Sequence, residues 1–435
     1  MLNLTIHRGT DEIGGSCVEL WNDNTRIVLD FGMPLVDKAR NEFDFKQYSK
    51  MSVDELIEKS VLPAIPGLYK DDSNKIDGLL ISHAHADHYG LLNYIGAHVP
   101  VWLGEATYDI IQLSGIFTPN KIELKNHSFF QRDVPFNIGD FKITPFWNDH
   151  SAFDSYVFLI ECDGIRILYS GDFRSHGRKS KTMQRFIAHP PPDIDYLIME
   201  GTQVGRNKAN EKNEEDIEKE LVKLFREPRI NLVYTSSQNI DRLVSIYKAS
   251  LKTKKIMIID VYIAKILTTL SKYAKFPYPS GSYGNIKVMF TKYTSDKAAK
   301  ASNNQMLYDF KPFKITKEEI GNEPSQYVII VRPSFQVDLE KIQNLENGNL
   351  IYSMWEGYKS KADTHKFMKY LEQKGFSNYD IHTSGHADLQ TLKKFADAIN
   401  PKSIIPIHTF NKNDYSNIFN QNIIELNDGE VFGLS

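Results

Sequence analysis

Ile81-Ser82-His83-Ala84-His85-Ala86-Asp87-His88-Tyr89-Gly90 sets three histidines and a carboxylate within six residues, directly after the apolar run from Ile76 to Ile81. The run reads as a buried strand that stops where the histidines begin. Imidazole and carboxylate are ligands that borderline divalent cations such as zinc accept, and a catalytic site keeps one coordination position open for water. No thiolate takes part, which argues against a closed structural zinc knot. A polar turn that happens to be rich in histidine is the alternative. Four donors at the carboxyl end of a strand, where sites in α/β proteins form, favour the metal.

Outward from this cradle, 435 residues are enough for about two domains, each with its own core. A hydrophobic content of 41% and a charged content of 25% are those of a globular protein, neither fibrous nor disordered. The net charge of -3 offers no global attraction to nucleic acid, so a polyanion site has to rest on a local basic patch. The cationic run Arg174-Ser175-His176-Gly177-Arg178-Lys179-Ser180-Lys181 is the candidate; as a solvated loop it would have no such role. Cys17 and Cys162 lack paired spacing, which predicts buried thiols in a reducing compartment. The N-terminus has no leader pattern, and no apolar run approaches the ~20 residues of a membrane helix, so a cytoplasmic protein without a membrane partner is expected.

Alternation predicts strands at 2–6, 17–20 and 26–29, the last ending in Asp30-Phe31-Gly32. Residues 36–73 form a mixed-charge insertion with a helix over 51–62, capped by Ser52 and stopped by Pro63. After the cradle come a helix over 89–95 and a strand over 99–103; residues 129–147 read as antiparallel pairing and end in Trp147-Asn148-Asp149-His150-Ser151. A hairpin of 156–160 and 165–169, turned at Asp163-Gly164, delivers Ser170-Gly171-Asp172-Phe173. A strand over 196–199 runs into Glu200-Gly201-Thr202. Then strands at 230–235, 255–259, 327–331 and 350–352 alternate with helices at 211–226, 240–251 and 262–273, the pattern of a parallel sheet. A strand-like stretch over 379–384 leads to Gly385-His386-Ala387-Asp388 and a helix, and an apolar strand over 404–407 carries His408 at its tip.

The pattern His-x-His-x-Asp-His resembles the signature of the metallo-β-lactamase superfamily, and the α/β segment placed inside such a chain resembles its β-CASP nuclease branch. The residues that match are the cradle, His150, Asp172, Glu200 (motif A), His386 in Ser384-Gly385-His386-Ala387 (motif B) and His408 in Ile-Pro-Ile-His-Thr (motif C). Motif B comes closest to the ribonuclease J-like form, without that enzyme's long C-terminal extension; cleavage-and-polyadenylation endonucleases share the same architecture. Glu200-Gly201-Thr202-Gln203 departs from the usual motif A.

The resemblance implies an α/β protein in which an αββα sandwich over 1–205 and 378–435 accepts an inserted parallel α/β domain over 206–377. It implies two Zn2+, or Mn2+ in their place. His83, His85 and His150 would hold one ion, Asp87, His88 and His408 the other, with Asp172 between them and Asp87 also counted as catalytic. Asp30 would orient the metal histidines, or else is a turn-forming aspartate before glycine. His386 would protonate the departing oxygen, with Glu200 stabilising its imidazolium; alternatively His386 only binds phosphate and Glu200 caps a helix. The implied activity is hydrolysis of phosphodiester bonds in single-stranded RNA, endonucleolytic or 5′-3′ exonucleolytic, by a two-metal-activated hydroxide. A DNA nuclease and a non-nuclease hydrolase of this fold are the alternatives. DNA-repair members of the branch generally lack a histidine at motif C, so His408 favours RNA. Substrate contacts are expected from Arg174, Arg178, Arg206, Arg242 and Arg332, from Ser384, Gly385 and Ala387, and from Trp355 as a stacking platform, although a tryptophan beside a buried strand more often packs. A homodimer is a further expected assembly.

Overall fold

Short strands with apolar residues on both faces need a cover on each side, and the two sheets of the N-terminal region provide it for each other. The computed structural model describes residues 1–37, 39–206 and 212–435. The chain divides into a first unit of residues 1–111, 120–210 and 385–435, and a second of residues 112–119 and 211–384.

The first unit holds two seven-stranded sheets. One runs, edge to edge, Val431–Gly433, Asn3–Arg8, Cys17–Trp21, Arg26–Leu29, Gly78–Leu80, Val101–Leu103 and His127–Phe129. The other runs Asn422–Ile423, Ser403–Ile407, Tyr196–Glu200, Ile165–Tyr169, Tyr156–Cys162, Phe141–Trp147 and Phe136–Ile138. Leu4, Ile6, Val18 and Leu29 of the first sheet share a core with Phe158, Ile160, Ile167, Ile198 and Ile405 of the second. Strand periodicity turns Leu159, Leu168 and Leu197 the other way, where they pack on Met183 and Phe186 of helix Ser180–Ala188 and on Leu392 and Phe395 of helix Leu389–Ile399. Tyr196–Glu200 and Ser403–Ile407 pair in parallel with Glu200 opposite Ile407, so the chain on either side of the insertion meets again inside one sheet.

The second unit is built on an all-parallel sheet, ordered Lys314–Ile315, Ile286–Met289, Ile256–Asp260, Tyr327–Val331, Asn231–Tyr234, Asn349–Tyr352 and Ser377–Asp380. Its inner strands Ile256–Asp260, Tyr327–Val331 and Asn349–Tyr352 are near-continuous apolar runs, as strands buried on both faces are, and all of Tyr327–Val331 is buried.

Several expectations need correction. The helix over 51–62 is only Val53–Glu58, closed at its start by a capping box between Ser52 and Glu55; Ser60 then takes a left-handed φ of 57°, which ends it before Pro63 is reached. Instead of a helix over 89–95 there is one turn, Ala86–Tyr89, inside the cradle, and a 3-10 turn at Leu92–Tyr94. His127–Phe129 pairs in parallel with Val101–Leu103, so only Phe136–Ile138 and Phe141–Trp147 form the antiparallel hairpin of that region. Ser377–Asp380 extends the second unit's sheet beside Asn349–Tyr352, which carries that unit to residue 384 rather than 377. The helix expected from residue 211, which lies outside the described residues, is Glu214–Phe225. Among the described residues no helix is long and apolar enough to cross a membrane. Cys17 and Cys162 are buried and unbonded.

Gly32 shows how tightly the cradle is seated. A Cβ there would stand 1.7 Å from the Asp87 carbonyl oxygen and 2.9 Å from the His88 nitrogen, both backbone atoms that cannot step aside. Gly32→Ala is expected to cost about 1–3 kcal/mol or more and to lower bound metal, measured by denaturant unfolding and elemental analysis. Wild-type values for both would show that the cradle has room.

Candidate metal centre

The strand Gly78–Leu80 leads into an extended stretch that carries His83 and His85, and His85 is the N-cap of the single turn that carries Asp87 and His88. Asp30 fastens this stretch from below. It is fully buried with a left-handed φ of 58°, a conformation that a non-glycine residue keeps only where its surroundings demand it. Its carboxylate accepts from the Ser82 N–H and Oγ–H, both at 2.7 Å, and from the Tyr169 hydroxyl at 2.8 Å, and it lies 2.8 Å from His88 Nδ1.

Four further strands deliver the remaining donors from their carboxyl ends: His150 follows Phe141–Trp147, Asp172 follows Ile165–Tyr169, Glu200 closes Tyr196–Glu200 and His408 follows Ser403–Ile407. Three groups each have donor atoms within 4.8 Å of one another, the last two sharing Asp172 and His408: His83, His85 and His150; Asp87, His88, Asp172 and His408; and Asp172, Glu200, His386 and His408. Asp172 Oδ2 lies 3.1 Å from His88 Nε2, 3.8 Å from His83 Nε2 and 4.0 Å from His150 Nε2. His408 Nε2 faces Asp87 Oδ2 at 3.3 Å, and His150 Nε2 faces His85 Nδ1 at 3.0 Å.

Hydrogen bonds on the outer edges of the rings settle which nitrogen looks inward. The Gly385 carbonyl can only accept, so His150 Nδ1, 2.7 Å away, carries the proton and leaves a lone pair on Nε2. Asp30 does the same for His88. Ser82 Oγ stands 3.0 Å from His83 Nδ1, and Thr202 Oγ1 stands 2.8 Å from His408 Nδ1. Within the cluster, buried His83 Nε2 and Asp172 Oδ1 make no hydrogen bond. Such orphaned polar atoms cost about 1–3 kcal/mol each, and a divalent cation among nitrogen and carboxylate donors removes that cost. The donor set fits such an ion, and these residues could hold one.

The electrostatics agree for the first group of donors, whereas at His88 burial is outweighed by Asp172 and Asp30, which raise the ring well above 6.5. Burial, then the neighbouring imidazoles, holds His83 and His150 well below the ordinary histidine value of 6.5; burial holds His85 down to about 4 despite Asp87 and Asp172. Neutral imidazole is the form that ligates. Burial opposes ionisation of Asp172, but His408, His88 and His386 outweigh it and keep the carboxyl far below its usual range.

His386 differs from the others. Its ring is 20% exposed, whereas those of His83, His88, His150 and His408 are at most 1% exposed, so it lies at the open side of the cluster. Nδ1 is 3.4 Å from Glu200 Oε1 and 3.7 Å from Asp172 Oδ2. Burial works against a proton here, yet the two carboxylates raise the ring to about 9, which keeps it an imidazolium at neutral pH. Glu200 accepts from the Thr202 N–H at 3.0 Å.

With this geometry in view, comparison with known proteins is informative. Residues 52–216 match the beta-lactamase superfamily domain, and residues 377–411 match the Zn-dependent metallo-hydrolase RNA specificity domain. Ribonuclease J of Helicobacter pylori is 23% identical over 415 residues, covering 92% of this chain and 55% of the relative. These likenesses support the β-CASP, ribonuclease J-like branch of the metallo-β-lactamase superfamily. Ribonuclease J of Sinorhizobium meliloti is 21% identical over 374 residues, covering 80% of this chain and 60% of the relative. The chain thus spans little more than half the length of these curated relatives. A crystal structure of a protein of unknown function from Enterococcus faecalis V583 superimposes with a TM-score of 0.80 at 20% identity, over 100% of both chains, and so shares the fold.

Several expected substrate contacts are engaged elsewhere. Arg174 is fully buried, its Nε 3.5 Å from Asp149, and Lys179 donates to the Ala152 and Phe153 carbonyls at 2.6 and 2.8 Å; the basic run around them is turned largely into the protein, with Arg178 half-buried. Arg242 is buried on Glu214 at 3.0 Å, and Arg332 is held by Asp260 and by Ser237 at 2.8 Å. Ala387 packs in the core beside Phe395, and Gly385 serves His150 through its carbonyl. Ser384 is buried at the end of the second unit, Arg206 is half-buried, and Trp355 is 48% exposed. Sequence reasoning passed over Tyr169 and Thr202, because a tyrosine ending a strand and a threonine in a turn carry no local mark of service to a metal site.

Thr202 Oγ1 meets His408 Nδ1 at 2.8 Å and His386 Nδ1 at 3.2 Å. Thr202→Val keeps the shape and removes the hydroxyl, and should lower metal affinity or activity by about 10–100-fold. Thr202→Ser should restore most of it. Competitive titration with a chromophoric chelator reads the affinity; a valine variant that binds metal like the wild type would remove Thr202 from the site.

Proposed function

We propose that this protein is a metal-dependent nuclease that hydrolyses phosphodiester bonds in single-stranded RNA, endonucleolytically, from a 5′ end, or both. The observation that carries the reading is Asp172, whose Oδ2 lies 3.1 Å from His88, 3.8 Å from His83 and 4.0 Å from His150, with His386 beside it, 3.4 Å from Glu200. The RNA specificity domain match and the ribonuclease J relatives support RNA over DNA as the substrate.

His83, His85 and His150 would hold one cation, and Asp87, His88 and His408 a second, with Asp172 bridging; zinc suits these donors and manganese is the alternative. Bound there, such a pair supplies activation of the attacking water and neutralisation of the phosphate charge. The protein's own residues do the rest. Asp30, Ser82, Thr202 and the Gly385 carbonyl fix the ligand rings. Glu200 and Asp172 keep a proton on His386 with its Nδ1 edge turned toward them, so a proton for the departing oxygen leaves from Nε2.

His386→Ala should therefore keep its complement of metal while cleavage of an end-labelled RNA falls by on the order of a hundredfold or more, as loss of a general acid predicts. Turnover unchanged in this variant would refute the proton-transfer role. Single-stranded DNA of the same sequence, assayed alongside, should be cut more slowly; faster cutting of the DNA would overturn the substrate class.

A further inference from the structure

The arginines Arg174, Arg242 and Arg332 and Lys179 are engaged within the protein, which leaves open where it grips a polyanion. Residues 261–317 contain ten lysines, two aspartates, no arginine and no glutamate, a net +8 in a chain of net -3, which leaves -11 for the remainder. This segment makes up one end of the second unit's sheet: helix Val261–Leu270, strand Ile286–Met289, helices Lys292–Ser302 and Gln305–Phe310, and the edge strand Lys314–Ile315. Lys272, Lys275, Lys292, Lys300, Lys311 and Lys314 are exposed, while Lys317 is paired with Asp338 at 2.9 Å.

Aromatic rings stand among these charges. Tyr293 is 43% and Tyr308 61% exposed. Lys297 Nζ lies 5.7 Å from the Tyr293 ring centre and Lys314 Nζ 5.2 Å from that of Phe290. Helical spacing sets Tyr293, Lys297 and Lys300 on one side of their helix while Thr294 and Ala298 face the interior. The Tyr293 hydroxyl donates to the Phe117 carbonyl at 2.9 Å, which fixes the ring as a platform. Lysines on an edge strand also discourage strand addition, but that task needs one or two, and solubility is served by mixed signs. A predominantly positive field, ten lysines to two aspartates, with interleaved rings matches phosphate backbone and stacked bases. Lysine without arginine gives point charges rather than bidentate readout, and so a grip indifferent to sequence.

We propose that this lysine face of the second unit is a binding surface for the backbone of single-stranded RNA, separate from the metal site of the first unit. The inference rests on the reading of the chain as a ribonuclease. Binding of a fluorescent single-stranded RNA of about thirty nucleotides is followed by anisotropy in the full chain carrying His386→Ala, with metals present, across a salt series. Adding Lys292→Gln, Lys297→Gln and Lys300→Gln should weaken binding about tenfold and lower the slope of log K against log salt by about 2, at ~0.7 per phosphate contact on a single strand. The pair Lys366→Gln and Lys369→Gln, exposed on helix Ala362–Gln373 of the same unit, should leave both unchanged. Wild-type affinity and slope in the triple variant, an equal loss in the control pair, or a loss seen only with anionic phosphatidylserine vesicles would overturn the proposal. Cleavage of an RNA of about five nucleotides by the chain with His386 intact tests the ribonuclease reading separately: no cleavage sinks that reading, whereas cleavage with unaltered binding in the triple variant sinks only the lysine face.

Discussion

Five histidines bring a ring nitrogen within 4.0 Å of the buried Asp172 carboxylate: His83, His88, His150, His386 and His408. No apolar core would tolerate that concentration of polar atoms unless something positive stood among them. Local hydrogen bonding alone does not resolve it, since His83 Nε2 and Asp172 Oδ1 remain unsatisfied. The surrounding fold can be understood as the frame that this demand requires. Strands from both sheets end at the site, and two residues beside it, Asp30 and His408, keep left-handed backbone conformations with φ of 58° and 54°. Strain of that kind persists only where the neighbours over-determine it, and for Asp30 those neighbours are Ser82, His88 and Tyr169.

Much of this was legible in the amino-acid sequence because the informative residues are chemically rare and sit at strand ends. His83, His85, Asp87 and His88 announce a site by density alone, and the single donors His150, Asp172 and His408 each follow an apolar run, a position that the fold then turns toward one point. What escaped was everything that depends on which way a side chain faces. The run from Arg174 to Lys181 looks like a phosphate grip in one dimension, but Arg174 is buried in an ion pair with Asp149 and Lys179 donates to main-chain carbonyls. Arg242 likewise disappears into Glu214, an interaction between residues 28 positions apart. Periodicity also failed where an element is only one turn long: Ala86–Tyr89 is too short to show a helical repeat, and strand His127–Phe129 does not state whether its neighbour runs parallel.

The comparison of arginine and lysine says something about how charge is used. A guanidinium offers five donors in a planar fork, so in a folded interior it can be satisfied completely, and Arg174, Arg242 and Arg332 are each held by an acidic side chain. An ammonium on a long stem tends to remain hydrated and at the surface, and six of the ten lysines of residues 261–317 are exposed in that way. Counting both residue types together gives a net charge near zero and hides the division.

That division has a consequence for what each unit can contribute. Every donor in the three groups, together with Thr202 and Asp30, belongs to the first unit, whereas the lysine-rich segment belongs wholly to the second. Interactions that are equally strong with the substrate and with the transition state lower the concentration of substrate needed without altering the chemical step. A grip on phosphates distant in sequence from the reacting bond is of that kind. On the proposed reading, changes to the two units should therefore separate kinetically, those in the histidine and carboxylate cluster altering turnover and those in the lysine face altering capture of long RNA. A short substrate that engages the metal site alone would respond to the first and be indifferent to the second.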